Sequence, residues 1–457
     1  MRAYLVFVTA SISLLMFSID STVVAVAFPS FIKEFNTNVL WAGWTISVYF
    51  TAITMAMPLA GALSDSLGRK KVFLISLILF TGSSLACGLA PNIHTLIVFR
   101  FLQGIGGASF LPTASGLVSD EFPGHRERVI GLFSSIFPIG GIIGPNLGGW
   151  VVSRFSWRYI FFINVPIGII LVVFIMALLR DSRVFSRRHI DFLGVSLLSG
   201  TIILLMFSLN LIGESFSPHN LGVSALFLAS SVVLLLLFFR QEKKDKNPIL
   251  DMTLLKSRPF FAANLLNIII GAGVFGTFAF VPLYVTSVHK LSTLVSGMIL
   301  TPRSVGTIPA SAITSFMLRR WGYRRPIVLG LSIVGSVTVL LGQGLPFWRW
   351  IGIQWGITEI LSFLILLSGI GMGIANPAAN NACIELMPEK VATIVGLRGM
   401  FKMVGGALGV SVITVILHLS ANPTTGFNIA FSSSGLVLLA AIPLAFLVPA
   451  GTAQRSP

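Results

Sequence analysis

Asp20, Arg100, Arg303, Arg398 and Lys402 all fall inside long apolar runs of the chain. An ionisable group in such a run is costly unless it is paired, hydrated or able to snorkel, and it usually faces a water-filled path. One carboxylate among four cations points to two kinds of chemistry: proton exchange at the acid and anion binding at the surplus bases. A carboxylate beside an arginine has a lowered proton affinity, while burial raises it, so its affinity changes whenever the pair opens or closes. Proton coupling requires that behaviour. Enzymatic chemistry has no comparable support, since there is no His-Glu-x-x-His and no Gly-x-Ser-x-Gly, and the six histidines are scattered. No Gly-x-x-x-x-Gly-Lys-Ser/Thr run exists either, which argues against ATP as the direct energy source. Neither an enzyme, a cofactor nor a metal site is expected. Cys87 and Cys383 lack any CxxC or Cys/His spacing and read as small buried residues.

The elements that must position these groups are membrane spans. The chain has 457 residues, 55% hydrophobic and 10% charged, and a soluble protein would carry roughly twice that charge fraction. Apolar runs of about 20 residues recur from end to end, each able to cross a hydrocarbon core of about 30 Å. The expected fold class is therefore an all-α polytopic membrane protein. The runs predict about 14 transmembrane helices, near residues 5–28, 43–63, 72–90, 94–118, 129–150, 158–179, 190–211, 221–239, 261–286, 294–317, 326–345, 359–383, 392–418 and 428–449. The first run is too long for a signal-peptide core and has no small-residue cleavage site after it. The spans group as six, two and six: an N-terminal bundle over 1–180, an inserted hairpin with basic flanks over 181–245, and a C-terminal bundle with a short tail over 246–457.

The formal charge of +16 could suggest nucleic acid, but the Lys and Arg cluster in alternate links such as Arg69-Lys70-Lys71 and Arg319 to Arg325. That asymmetry is the positive-inside rule, so those links and both termini are expected in the cytoplasm, and no nucleic-acid partner is implied. Trp157, Tyr159, Trp348, Trp350 and Trp355 then fall near outer span ends, where an aromatic belt belongs.

Helix rise sets depth. Asp20 lies about 13 Å below the outer end of the first span, and Arg100, descending on the fourth, reaches a similar level. Pairing of Asp20 with Arg100 is expected, the other reading being an Arg100 that snorkels to the interface. Arg303 falls roughly 14 Å into the tenth span. Arg398 and Lys402 share one face of the thirteenth at i,i+4 spacing. These three are the candidates for a substrate cavity favouring anionic or zwitterionic amphiphiles. Alternatively, Arg398 and Lys402 pair with acids at span ends, such as Glu359 and Glu385, or lie near the cytoplasmic mouth. Asn264, Asn267, Asn376, Asn380 and Asn381 add polar groups that either line the cavity or join helices.

Three motifs complete the pattern. The link between spans two and three reads Gly61-Ala-Leu-Ser-Asp65-Ser-Leu-Gly68-Arg69-Lys-Lys, with glycines suited to a tight turn and one acid among cations. Span four carries Arg100-Phe-Leu-Gln103-Gly104-Ile-Gly-Gly. Span five carries Gly131, Gly140, Gly144-Pro145 and Gly148-Gly149, a face for close helix packing with a proline that can bend the helix. In the second half, Gly322 among Arg319, Arg320, Arg324 and Arg325 echoes the link, with Arg319 where an acid would repeat, and Gly405-Gly406-Ala-Leu-Gly409 echoes the glycine face.

These motifs, with Asp20-Ser-Thr-Val-Val-Ala25-Val-Ala-Phe-Pro29, resemble the fourteen-span drug–proton antiporters of the major facilitator superfamily, the EmrB/QacA type. Ala25 departs from the asparagine usual there. The resemblance implies two six-helix bundles rocking about a midplane site, with Asp65 and Arg69 as a cytoplasmic gate latch, Asp20 and Arg100 as the proton-coupling pair, and the Gly131–Gly149 stripe as the antiporter motif. The implied activity is proton-coupled export of small hydrophobic or amphiphilic compounds across a bacterial inner membrane. An uptake symporter and a lipid or lysolipid transporter of the same fold are the alternatives. The expected partners are substrate, protons and the lipid bilayer. The chain is expected as a monomer, and a periplasmic adaptor serves some exporters of this type.

Overall fold

In the computed structural model, the described residues are 2–122, 129, 133, 136–179, 191–214, 217–244, 257–343, 348, 352, 354–386 and 391–451. Among them the regular structure is helical throughout, and eleven helical segments are long and apolar enough to cross a membrane. By contacts the chain divides into two compact units, Met1–Leu205 with Ala225–Ile249, and Met206–Ser224 with Leu250–Pro457.

The first unit opens with α1 (Arg2–Glu34), α2 (Val39–Leu67), α3 (Arg69–Gly88), α4 (Ile93–Gly107) and α5 (Phe110–Glu121). It continues with α6 (Ile136–Arg154), the single turn α7 (Tyr159–Phe162) and α8 (Asn164–Leu178). Next come α9 (Phe192–Glu214) and α10 (Pro218–Glu242), each shared between the units. The second unit contains α11 (Arg258–Ile270), a π-helical segment Gly271–Gly276, α12 (Thr277–Ser287) and α13 (Thr293–Trp321). It ends with α14 (Arg324–Leu341), α15 (Ile357–Glu385), α16 (Val391–Leu419), α17 (Pro423–Ala440) and a 3₁₀ turn Ile442–Phe446.

Most helices outrun the apolar runs that announce them, because capping side chains extend them past the greasy stretch. Asn38, Asn92, Ser257, Ser292 and Asn422 each accept a hydrogen bond from the backbone N–H three residues on, at 2.8–3.3 Å. Such caps satisfy N–H groups that a helix start leaves unpaired. The two tight links α2–α3 and α13–α14 turn at Gly68 (φ 93°) and Gly322 (φ 65°). Only glycine takes such angles without a Cβ penalty.

Packing repeats between the units. In the first, α1 lies on α6, α2 on α4, and α3 on α4 and α8. In the second, α11 and the π segment lie on α16, α13 on α15, and α14 on α15 and α17. The same order of neighbours in each unit is the signature of an internal repeat. Trp157 is 2% exposed, packed edge-on against Phe31 with its indole N–H on Glu34, so it belongs to the core, whereas Tyr159 and Trp355 are exposed. Trp350 lies outside the described residues.

Candidate functional site

The first unit holds a charged centre with almost no exposure. α1, buried along most of its length, places Asp20 at its middle, and α4 places Arg100 opposite. Arg100 Nη1 donates to Asp20 Oδ2 at 2.8 Å and to Gln103 Oε1 at 2.6 Å, and Nε donates to the Thr45 carbonyl at 3.1 Å. The other carboxylate oxygen, Oδ1, accepts from Gln103 Nε2 at 2.8 Å and from Asn164 Nδ2 at 3.0 Å. Ser84 Oγ takes a second hydrogen bond from Gln103 at 2.7 Å. The guanidinium also sits 3.8 Å over the ring of Tyr49. Asp20 is 0% and Arg100 1% exposed, so Arg100 is held by its partner and does not reach the interface.

A buried ion pair survives only when its remaining lone pairs and protons are also satisfied. Gln103, Asn164, Ser84 and the Thr45 carbonyl do that here, with help from the Tyr49 ring. Sequence reasoning named Gln103 but missed Asn164, Ser84, Thr45 and Tyr49. Polar side chains of these kinds are common in spans and carry no charge to mark them. Asn164 supplies the carboxylate with an amide from α8, although α1 itself has Ala25 where the related motif carries asparagine.

The glycine stripe packs directly on the segment of α1 that carries Asp20. A Cβ at Gly140 would collide with Ser18, one at Gly144 with Thr22, and one at Gly148 would lie 2.7 Å from Val23 Cγ2. Ser18 Oγ donates to the Phe137 carbonyl, tying the two helices. Pro145 lies within α6 and Gly149 is buried, while Gly131 lies outside the described residues. Gly104 plays a similar part on α4, where a Cβ would stand 2.8 Å from the Tyr49 carbonyl oxygen.

At the link, Gly68 makes the turn and Gly61 faces open space. Arg69 Nη1 pairs with Asp120 Oδ2 of α5 at 2.9 Å, an acid that sequence reasoning did not include. The side chain of Asp65 lies outside the described residues.

The second unit is built differently. Arg398 donates to the side-chain oxygens of Asn376 and, at 3.3 Å, Asn380, both on α15. Arg303 stands 4.0 Å over the Phe278 ring, and the Lys402 ammonium 4.9 Å over Phe275. Among the described residues none of these three cations meets a carboxylate. Asn264, Asn267 and Asn381 turn their amides onto carbonyls four residues back in their own helices, at 2.9 Å each. Cys87 and Cys383 are free and buried, and no cluster of metal-binding side chains exists among the described residues.

Comparison with known proteins agrees with this architecture. The Major Facilitator Superfamily profile matches residues 10–410. The chain belongs to that superfamily. It is a multi-pass membrane transporter. Multidrug transporter protein MdtP of Bacillus subtilis is 30% identical over 414 residues, 90% of this chain and 75% of MdtP. Multidrug resistance protein 3 of the same organism is 30% identical over 426 residues, 92% of this chain and 80% of its own. A D-xylose–proton symporter structure superposes with a TM-score of 0.69 at 14% identity, covering 99% of both chains, and so shares the fold.

Proposed function

We propose that this transporter exports small amphiphilic compounds in exchange for protons, as a drug–proton antiporter of the fourteen-span type. The observation that carries this reading is the enclosed Asp20–Arg100 pair. It is a membrane-embedded carboxylate held by one arginine and two amides, and an ionisable group at that depth marks a proton or ion path. The names of the relatives, two of them multidrug proteins, support the direction and the substrate class.

In this mechanism a proton from outside neutralises Asp20 and weakens its hold on Arg100. Arg100 keeps the Thr45 carbonyl and the Gln103 oxygen, so the charge left behind is not orphaned. Because α6 is seated on Ser18, Thr22 and Val23, a shift of α1 at Asp20 moves α6 with it. Substrate arriving from the cytoplasm or inner leaflet favours release of the proton, and alternating access carries the two in opposite directions. A potential of 100 mV contributes about 2.3 kcal/mol per charge moved. The topology that goes with this reading counts α6, α9 and α13 as spans beside the eleven, in six-two-six order. It places both termini in the cytoplasm of a bacterial inner membrane, with the protein acting as a monomer.

The test is substrate-triggered proton movement in proteoliposomes of known orientation, for wild type and Asp20→Asn. Opposed fluxes that vanish in the variant are the expected result. Fluxes in the same direction would make the protein a symporter, and coupling retained in Asp20→Asn would remove Asp20 from the mechanism.

A further inference from the structure

The second unit gathers three positive charges whose placement is as deliberate as that of the first unit's ion pair. Arg398 and Lys402 stand one turn apart on α16, and Lys402 and Arg303 rest on Phe275 and Phe278, which are three residues apart in the chain. Two of the cations, Arg303 and Lys402, sit beside a glycine contact that brings backbones together. A Cβ at Gly271 would strike the Lys402 carbonyl and one at Gly369 the Arg303 carbonyl. Thr307 of α13 bonds the Gly369 carbonyl at 3.0 Å, and Gly409 of α16 presses on Ala272 of the π segment. These contacts fix the α13–α15 and α16–π-segment spacings, and with them the positions of Arg303 and Lys402.

What the cations touch is less than they can bind. Arg398 is held by two asparagine oxygens, yet its Nε is buried with no acceptor. Arg303 and Lys402 rest on phenyl rings, and among the described residues they have no hydrogen-bond acceptor. A cation over a ring gains about 0.5–2 kcal/mol, and charge-assisted hydrogen bonds to a carboxylate are stronger. The acids of α15 stand at its ends. Glu385 is five residues beyond Asn380, about 7.5 Å along the helix, and Glu359 is farther still on the other side. Among the described residues neither forms an ion pair with the group.

We propose that Arg303, Arg398 and Lys402, with the rings of Phe275 and Phe278, form a binding site for the acidic head of an anionic amphiphile. The planar guanidinium of Arg303 and the mobile ammonium of Lys402 take the head group, and Arg398, fixed by Asn376 and Asn380, supplies directional charge. Phe275 and Phe278, released from the cations, receive the apolar or aromatic body. A cationic compound meets three like charges and is rejected. The role of this site in transport rests on the exporter reading; its ligand chemistry does not. The same chemistry fits an aromatic weak acid or an anionic lysolipid.

The experiment is equilibrium binding to the purified full-length protein by titration calorimetry, with no proton gradient. The probes are 2-naphthoate, the same ring bearing a trimethylammonium group, and a lysophosphatidylglycerol. Naphthoate or the lysolipid should bind the wild type, the cation at least tenfold more weakly. Arg303→Gln and Lys402→Gln should each lower anion affinity tenfold or more, with Lys402→Arg restoring it to within about threefold. Phe275→Leu should lower naphthoate affinity more than lysolipid affinity if the natural body is aromatic. Unfolding temperature checked for each variant separates lost binding from lost fold. Anion affinity unchanged in folded Lys402→Gln and Arg303→Gln, or preference for the cation, overturns the assignment. Proton-coupled flux of the cation alone would overturn it and leave the exporter reading standing. Lys402-dependent anion binding without proton coupling would do the reverse.

Discussion

The two units arrange their helices in the same order and handle charge in opposite ways. In the first, Asp20 and Arg100 form a pair sealed from solvent, and both carboxylate oxygens and the Nη1 and Nε groups of the arginine are matched by neighbours. In the second, three cations stand half-buried, held by amides and ring faces, with no acid beside them among the described residues. A repeated scaffold has thus been given a closed, self-neutral centre in one half and an open, unbalanced one in the other. In the proposed mechanism the first is the group that changes its own charge, and the second meets charge brought to it.

The contrast breaks most visibly at Arg100. Arg100→Met leaves Asp20 buried with amides alone, and removing one partner of a buried pair costs about 3–5 kcal/mol. A large fall in unfolding temperature in detergent is expected, with much of it recovered in the double variant Asp20→Asn, Arg100→Met. Equal loss in the single and double variants would show that the pair itself is not what the core depends on. Next comes the glycine stripe. Gly144→Leu forces α6 away from Thr22 and the Ile19 carbonyl, with a cost of about 1–3 kcal/mol for overpacking and loss of flux in proteoliposomes. Gly61→Ala, whose new methyl meets open space, should leave both unchanged.

The second unit should prove more tolerant. Arg398→Gln loses charge-assisted hydrogen bonds on a half-buried side chain, a cost of about 1.5 kcal/mol. An unfolding-temperature drop matching that of Arg100→Met would erase the distinction between the two centres. A small effect is expected at His289, beyond the end of α12, where burial against Tyr284 lowers the imidazole pKa below its usual 6.5. The unfolded chain then holds that proton more readily than the folded one. Stability is full above about pH 6.5 and declines as pH falls through the lowered value. His289→Phe should remove this part of the acid sensitivity in thermal scans between pH 7.5 and 5.

Much of this was legible in the residues because helices are regular. A fixed rise per residue places Asp20 and Arg100 at one depth from the sequence alone, and apolar run length marks the spans. The stripe of glycines announced a close helix contact, though not that α1 would be its partner. What stayed hidden depends on three helices meeting at once. Asn164 and Ser84 become parts of the site only when α8 and α3 come beside α1, and a lone polar residue in a span does not declare its neighbour. Trp157 looked like an interfacial anchor because tryptophan is common there, but Phe31 and Glu34 draw it inward. The pairing of Arg69 with Asp120 escaped for a similar reason, as α5 reaches the end of α3 only in the folded unit.

The π-helical stretch Gly271–Gly276 has a consequence for evolution of the second unit. A π turn holds one residue more than the α turn it replaces, so everything downstream is rotated by about 100° relative to an uninterrupted helix. Phe278, whose ring lies under Arg303, comes two residues after that segment and so carries its rotation. Loss of one codon near Ala272 would let the helix close up into α geometry and swing the Phe278 ring away from the arginine. A lineage can therefore retune this face by a single-residue insertion or deletion, without altering any of the side chains that compose it.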